Sequence, residues 1–133
     1  MRFMLDTNTC IFLIRRKHPR LLQRIVSCTP GDLGVSAITL AELEYAVAKS
    51  GQTDRNRSAL AEFLLPLEIA PFDEEAARTY GAVRAHLESK GTPIGSLDTL
   101  IGAHALSRGI TLITNNTREF KRIPRLQVAD WSG

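Results

Sequence analysis

At 133 residues and 44% hydrophobic content, the chain is long enough to bury one core and too short for two ordinary domains. No apolar run approaches the roughly 20 residues that cross a bilayer, and no charged and then apolar leader opens the chain, so a cytoplasmic, non-membrane protein is expected. The net charge of +3 is too mild to name a partner, and Cys10 and Cys28, in separate expected helices without CxxC spacing, read as free thiols of a reducing compartment.

Taken in order, residues 2–5 form a short apolar strand that runs straight into Asp6-Thr7-Asn8-Thr9, and residues 9–17 carry helical spacing. Pro19 suits the first turn of a second helix holding Leu21, Leu22, Ile25 and Val26. Pro30-Gly31-Asp32 breaks the chain before a strand at Leu33-Gly34-Val35, after which Ser36 is placed to cap a helix over 37–49 that Gly51 closes. Asp54 is expected to cap a further helix reaching Leu64. Residues 67–70 make a short strand, and Asp73 caps a long helix through Lys90. Beyond the turn-rich Gly91, Pro93 and Gly95, Ser96 or Asp98 opens a helix that Gly109 stops. Residues 110–113 are the clearest strand, and 126–129 a last one at the sheet's edge. Strands separated by helices predict a parallel α/β sheet covered on both faces, with right-handed crossovers, in a single domain over 1–133.

Four acids stand in unusual settings. Asp6 ends an apolar strand, where an open parallel sheet holds its ligands, although an ordinary helix cap needs no function. Glu42 lies among Ile38, Leu40, Leu43, Tyr45 and Val47, where a carboxylate is costly unless a cation compensates it, and a core-facing arginine is the plain alternative. Asp98 precedes the apolar or tiny residues Leu100, Ile101, Gly102 and Ala103, with a simple N-cap as its other reading. Glu119 follows the clearest strand within Thr114-Asn115-Asn116-Thr117-Arg118-Glu119-Phe120, whose hydroxyl, amide and carboxylate oxygens are all possible ligands. In a parallel fold these positions gather at one edge, where like charges repel unless a cation intervenes. Oxygen-only donors favour Mg²⁺ or Mn²⁺ over zinc, and His18, His86 and His104 lack metal-binding spacing. The glycine-rich dinucleotide and P-loop signatures, HExxH and GxSxG are all missing.

Basic residues crowd two stretches: Arg15, Arg16, Lys17 and Arg20, then Arg118, Lys121 and Arg122. An acidic pocket with basic margins suits a metal-dependent enzyme acting on a polyanion, and solvated surface charge accounts for the same residues.

At Met4-Leu5-Asp6-Thr7-Asn8, Ser36-Ala37-Ile38-Thr39-Leu40-Ala41-Glu42-Leu43, Pro93-Ile94-Gly95-Ser96-Leu97-Asp98 and Thr114 to Phe120, the chain resembles the PIN-domain family, and within it the VapC-type ribonuclease toxins of bacterial toxin–antitoxin systems. The likeness spans essentially the whole chain, and four weak motifs in order make a specific pattern. It implies a parallel five-stranded sheet flanked by helices. It further implies that Asp6, Glu42, Asp98 and Glu119 are catalytic and that, with Asn116, they hold Mg²⁺ or Mn²⁺. Many members carry an acid at the position of Asn116, so the firmness of a second metal site is left open. The resemblance implies hydrolysis of RNA, such as transfer RNA, with the two basic stretches on the substrate, together with a cognate antitoxin and a homodimer. A structure-specific DNA nuclease or phosphatase using the same carboxylates, and a basic adaptor domain with an inactive site, are the rival expectations.

Overall fold

The computed structural model describes residues 1–132. Five strands, β1 (Phe3–Leu5), β2 (Leu33–Ser36), β3 (Glu68–Ala70), β4 (Thr111–Ile113) and β5 (Val128–Ala129), form one sheet in the order β3-β2-β1-β4-β5. All neighbours run parallel, with Phe3 opposite both Leu33 and Thr111. Parallel neighbours require crossovers, supplied here by α1 (Thr7–Arg15), α2 (Pro19–Val26), α3 (Ala37–Lys49), α4 (Thr53–Leu64), α5 (Glu74–Ser89), α6 (Ser96–Arg108) and the short α7 (Thr117–Phe120).

The strand period of two divides the core. Leu5 and Ile113 face Cys10, Leu13, Leu21, Leu43, Val47 and Leu60 of α1–α4, while Met4 and Leu112 face Val83, Leu87, Ile101, Ala105 and Phe120 of α5–α7. Both faces of the central strands are therefore buried. Their apolar runs are continuous for that reason. Gly34 permits the close approach of β2 and β3: a β-carbon there would lie 2.6 Å from the Glu68 carbonyl oxygen.

Most expected boundaries recur within two residues, and Asp6, Ser36 and Asp73 each cap a helix through the side chain. Two expectations fail at helix starts and one at a helix end. Gln52, without a side-chain bond, precedes α4, and Asp54 lies inside its first turn, where its charge favours the positive end of the helix dipole. Gly95 precedes α6, so neither Ser96 nor Asp98 is a cap; Asp98 is the third helical residue and its carboxylate is left for other work. The α3 helix ends at an extended Ser50 before Gly51. Cys28 lies beyond α2 rather than within a helix, half-buried, while Cys10 is fully buried on α1; both thiols are free. No described helix is long and apolar enough to cross a membrane.

Candidate active site

The C-terminal edge of the sheet presents Asp6 after β1, Ser36 at the end of β2, Thr114 after β4 and Asp130 after β5. Asp6 is buried, and each of its oxygens is held by a different donor. The Thr9 amide donates to Oδ1 at 2.9 Å as the α1 cap, and the Thr114 hydroxyl donates to Oδ2 at 2.6 Å. Thr114 Oγ1 in turn accepts from the Asn116 amide at 2.9 Å, which ties the loop after β4 to the carboxylate. Burial pushes the Asp6 carboxyl above its ordinary value, the Thr114 and Thr9 hydrogen bonds oppose that, and nearby Asp130 reinforces it.

Glu42 projects from α3 and accepts a 2.6 Å hydrogen bond from Thr7 Oγ1, with Thr39 Oγ1 3.4 Å from the same hydroxyl. No arginine or lysine pairs with it among the described residues, so the arginine alternative is not what the fold builds. Half-buried Asp98 is pushed up to about 6, first by burial, then by the charges of Glu119, Asp6 and Glu42, with a Glu119 hydrogen bond adding to the shift. Glu119 is itself anchored: the Gly95 amide donates to its Oε1 at 3.0 Å, and the Asn116 side-chain amide donates to its Oε2. Asn116 therefore spends its nitrogen on orienting Glu119, leaving its oxygen as the only ligand atom it could offer.

The four acids have no ion-pair partner among the described residues, as Asp54, Glu62, Asp73 and Asp130 also have none; what sets them apart is that the charges of Glu119, Asp6 and Glu42 meet at Asp98. Asp98 and the three other carboxylates near enough to raise it, with no cation paired to them among the described residues, form a site with an unmet demand for positive charge. Among the described residues no three acidic, histidine or cysteine side chains converge into a closed ligand cage. The electrostatic coupling and the lack of a cage fit together if the acids ring a space larger than one bare ion, with water completing the coordination. That donor set fits a hard divalent cation and does not fit zinc, which favours nitrogen and sulfur.

The sequence reading missed Asp130, exposed beyond β5, whose charge reaches Asp6. It also missed the hydroxyls of Thr7 and Thr114 as carboxylate holders; Thr114 had been read only as a possible ligand. The one available signal was a threonine within two residues of each of two strand ends.

The basic stretches are placed unequally. Arg118 is exposed beside Glu119 on α7, Lys121 is exposed just beyond it, and Arg122 donates to the Pro93 carbonyl at 3.1 Å, bracing the connector into α6. Arg20 is exposed at the start of α2, and Arg15, Arg16 and Lys17 are exposed at the far end of α1, one nine-residue helix from Asp6. At 1.5 Å per residue that is about 13 Å from the acidic edge. Arg16 ends the helix in the left-handed region at φ 56°.

Two apolar hollows remain on the α1–α4 side. One of about 460 Å³ is lined by Leu13, Leu22, Ile25, Val26 and Phe63, and one of about 360 Å³ by Ile11, Ile14, Leu43, Val47 and Leu60.

A family model for the PIN domain matches residues 3–126. The chain is 44% identical over 131 residues to the tRNA(fMet)-specific endonuclease VapC of Salmonella typhimurium, covering 98% of both chains. A crystal structure of DNA-bound VapBC from Salmonella typhimurium superposes with a TM-score of 0.94 at 44% identity, with 98% of each chain covered. VapBC2 from Rickettsia felis, bound to a DNA fragment from its promoter, superposes at 0.90 with 40% identity over 98% of this chain and 99% of that one.

Proposed function

This chain belongs to the PIN-domain family and, within it, to the VapC-type ribonuclease toxins, and from that premise we propose that it hydrolyses phosphodiester bonds in transfer RNA with Mg²⁺ or Mn²⁺ held by Asp6, Glu42, Asp98 and Glu119. The observation that carries the reading is the convergence of three other carboxylates on Asp98 with no cation to offset them. Bound there, a divalent ion would neutralise that charge, polarise a phosphoryl oxygen and make a water acidic enough to attack at neutral pH.

The protein's own groups do the rest. Thr114 and Thr9 fix both oxygens of Asp6, and Thr7 fixes Glu42, so little reorganisation is left for the reacting state. Asp98 must release its proton before it acts as a carboxylate ligand, and Glu119 lies close enough to influence that release. Asn116 supports the site through Glu119 and offers its carbonyl as a neutral donor. Cys10 is buried with its thiol pushed up by burial, and the Thr7 and Thr114 hydroxyls already donate to carboxylates, so none of these three is poised as a covalent nucleophile. Water is therefore the attacking group, and the products expected are a 5′-phosphate and a 3′-hydroxyl. A 2′,3′-cyclic phosphate would sink the hydrolytic scheme.

Arg118 and Lys121 lie beside the acids and are proposed to hold the phosphates that flank the cleaved bond. Arg15, Arg16, Lys17 and Arg20 would grip the strand farther off, and Arg122 acts mainly through Pro93. Phosphate contacts carry most of the salt dependence of binding. In the inactive Asp98→Asn background, Arg118→Ala with Lys121→Ala is expected to weaken RNA binding and lower the slope of log affinity against log salt by about 1–2. An unchanged slope would move the RNA path elsewhere.

The two apolar hollows on the α1–α4 side are proposed to seat a cognate antitoxin segment, as VapBC neighbours suggest, and exposed Val26 and Leu65 nearby are available to a second copy in a homodimer. Expression of the chain alone is expected to arrest growth with cleaved transfer RNA. Co-expression of the neighbouring reading frame, or Asp98→Asn, should restore growth. Harmless expression of the folded wild type with intact RNA would count against the toxin, and preferential cleavage of DNA or a small phosphate ester would reassign the substrate.

A further inference from the structure

His104 is buried on α6, with its Nδ1 2.8 Å from the hydroxyl of Ser36. Ser36 ends β2 and caps α3: its Oγ accepts from the Ile38 amide at 3.0 Å. A hydroxyl whose oxygen already accepts one bond has its proton left to give, and His104 Nδ1 is the acceptor the structure provides. Ser36 is assigned as the donor to Nδ1, because the structure offers its proton no other acceptor among the described residues, and this places the proton of the neutral ring on Nε2. Nε2 has no hydrogen-bond partner, and the ring stands edge-on to Phe72 at 5.2 Å between centroids.

Neutrality of this ring is supported by its surroundings. Burial and the nearby Arg108 on α6 hold its pKa below the ordinary value, while Asp73, at the start of α5, and the Pro71 carbonyl, after β3, pull weakly the other way. A charged imidazole would have to donate from Nδ1 and could no longer accept from Ser36.

The placement of this bond matters. Glu42 follows Ser36 by six residues on α3, and Asp98 precedes His104 by six residues on α6. Each acid is thus about 9 Å along its helix from one buried polar tie. Apolar packing tolerates small slides of one helix on another, whereas a hydrogen bond to a helix cap fixes both separation and register. His104 does not reach the acids itself.

We infer that His104, acting through Ser36, is a positioning residue that sets the separation of the Glu42 and Asp98 carboxylates for a shared divalent cation. The metal part of this inference rests on the proposed function; the tie between the helices does not.

The test uses His104→Leu, Ser36→Ala, the double variant and the conservative His104→Asn, whose side-chain oxygen can take the place of Nδ1. Asp73→Ala serves as a control, because it removes a cap of the same kind from α5 and leaves the Ser36–His104 bond in place, the loss of its charge only favouring the neutral ring. In the folded proteins Mn²⁺ affinity by calorimetry is expected to fall at least tenfold in His104→Leu and in Ser36→Ala, with the double variant no worse than the weaker single. His104→Asn should recover most of it, and Asp73→Ala should bind as wild type. Nitrogen NMR of the wild type should show an unprotonated Nδ1 and a protonated Nε2. Crystal structures of metal-free wild type and His104→Leu, or Ser36→Ala if the former does not fold, then read the Glu42-to-Asp98 separation directly. Equal separations, or equal Mn²⁺ affinities alongside lowered stability, would overturn the inference. A wild type that binds no Mn²⁺ would sink the metal reading, while the crystallographic comparison would still decide the tie.

Discussion

Asp98→Asn is expected to abolish RNA cleavage while making the metal-free protein more stable at pH 8. The sign follows from the acid's position. In the folded chain its carboxyl is pushed up to about 6 from an ordinary 3.8, so between those values the folded state keeps a proton that the unfolded state has lost. The proton-linked contribution to stability is fully present below about pH 4 and is lost as pH rises through 6. A shift of that size corresponds to about 3 kcal/mol at most, and solvent access to this half-buried group reduces it to about 1 kcal/mol. The amide removes that penalty, so the variant's advantage should appear above pH 6 and vanish near pH 4 in thermal melts. Mn²⁺ reverses the ranking. At 100 times its Kd it should stabilise the wild type by about 2.7 kcal/mol and leave the variant nearly unmoved. A variant that is less stable at pH 8, or that gains as much from Mn²⁺, would mean that Asp98 is not the centre of the acidic repulsion.

That stability sign and the proposed chemistry have one origin. The fold places one carboxylate where three others raise its pKa, which costs stability in the resting protein and creates affinity for a cation. The hydroxyl shell limits the cost at Asp6 and Glu42 by meeting their oxygens with short hydrogen bonds. Asp98 has no such threonine, and its carboxyl is pushed up to about 6.

The sheet and its acids could be read from the chain because each rests on local physics. Continuous apolar runs such as Met4-Leu5 and Leu112-Ile113 need two covered faces, and Asp6 ends such a run with nowhere to go but the sheet's edge. Helix caps were less legible. Asp54 and Asp98 have the chemistry of caps, yet each falls inside its helix, because the preceding connector sets the first turn and the charge alone does not. The contacts that orient the acids were invisible for another reason. Thr7 to Glu42 spans 35 residues and Thr114 to Asp6 spans 108, and local patterning carries no information about such pairs. Asp130 was passed over because it follows a two-residue edge strand, too short to mark its end as part of the site. How far the basic stretch after α1 lies from the acids was not legible either, because only the sheet's direction shows that the helix leaving one edge carries Arg15 and Arg16 toward the other.

Thr114→Val is the sharpest probe of the hydroxyl shell. Valine keeps the shape of this buried residue and removes both the proton given to Asp6 Oδ2 at 2.6 Å and the oxygen that accepts the Asn116 amide at 2.9 Å. Asp6 is already raised by burial, and the Thr114 bond is the largest influence opposing that rise, so its loss should raise the carboxyl further. Cleavage and Mn²⁺ affinity are each expected to fall by roughly 10–100-fold, the usual consequence of losing a bond that orients a ligand. A buried carboxylate left without its donor should cost about 1–3 kcal/mol of stability near pH 8. That deficit should shrink at acid pH, because the folded variant keeps the Asp6 proton to a higher pH than the wild type and a protonated carboxyl depends less on the missing donor. Thr114→Ser retains the hydroxyl and should restore most of the activity at a small packing cost. Full cleavage by folded Thr114→Val would show that Asp6 does not need this anchor, and equal losses in the serine and valine variants would assign the effect to the missing methyl rather than to the hydrogen bond.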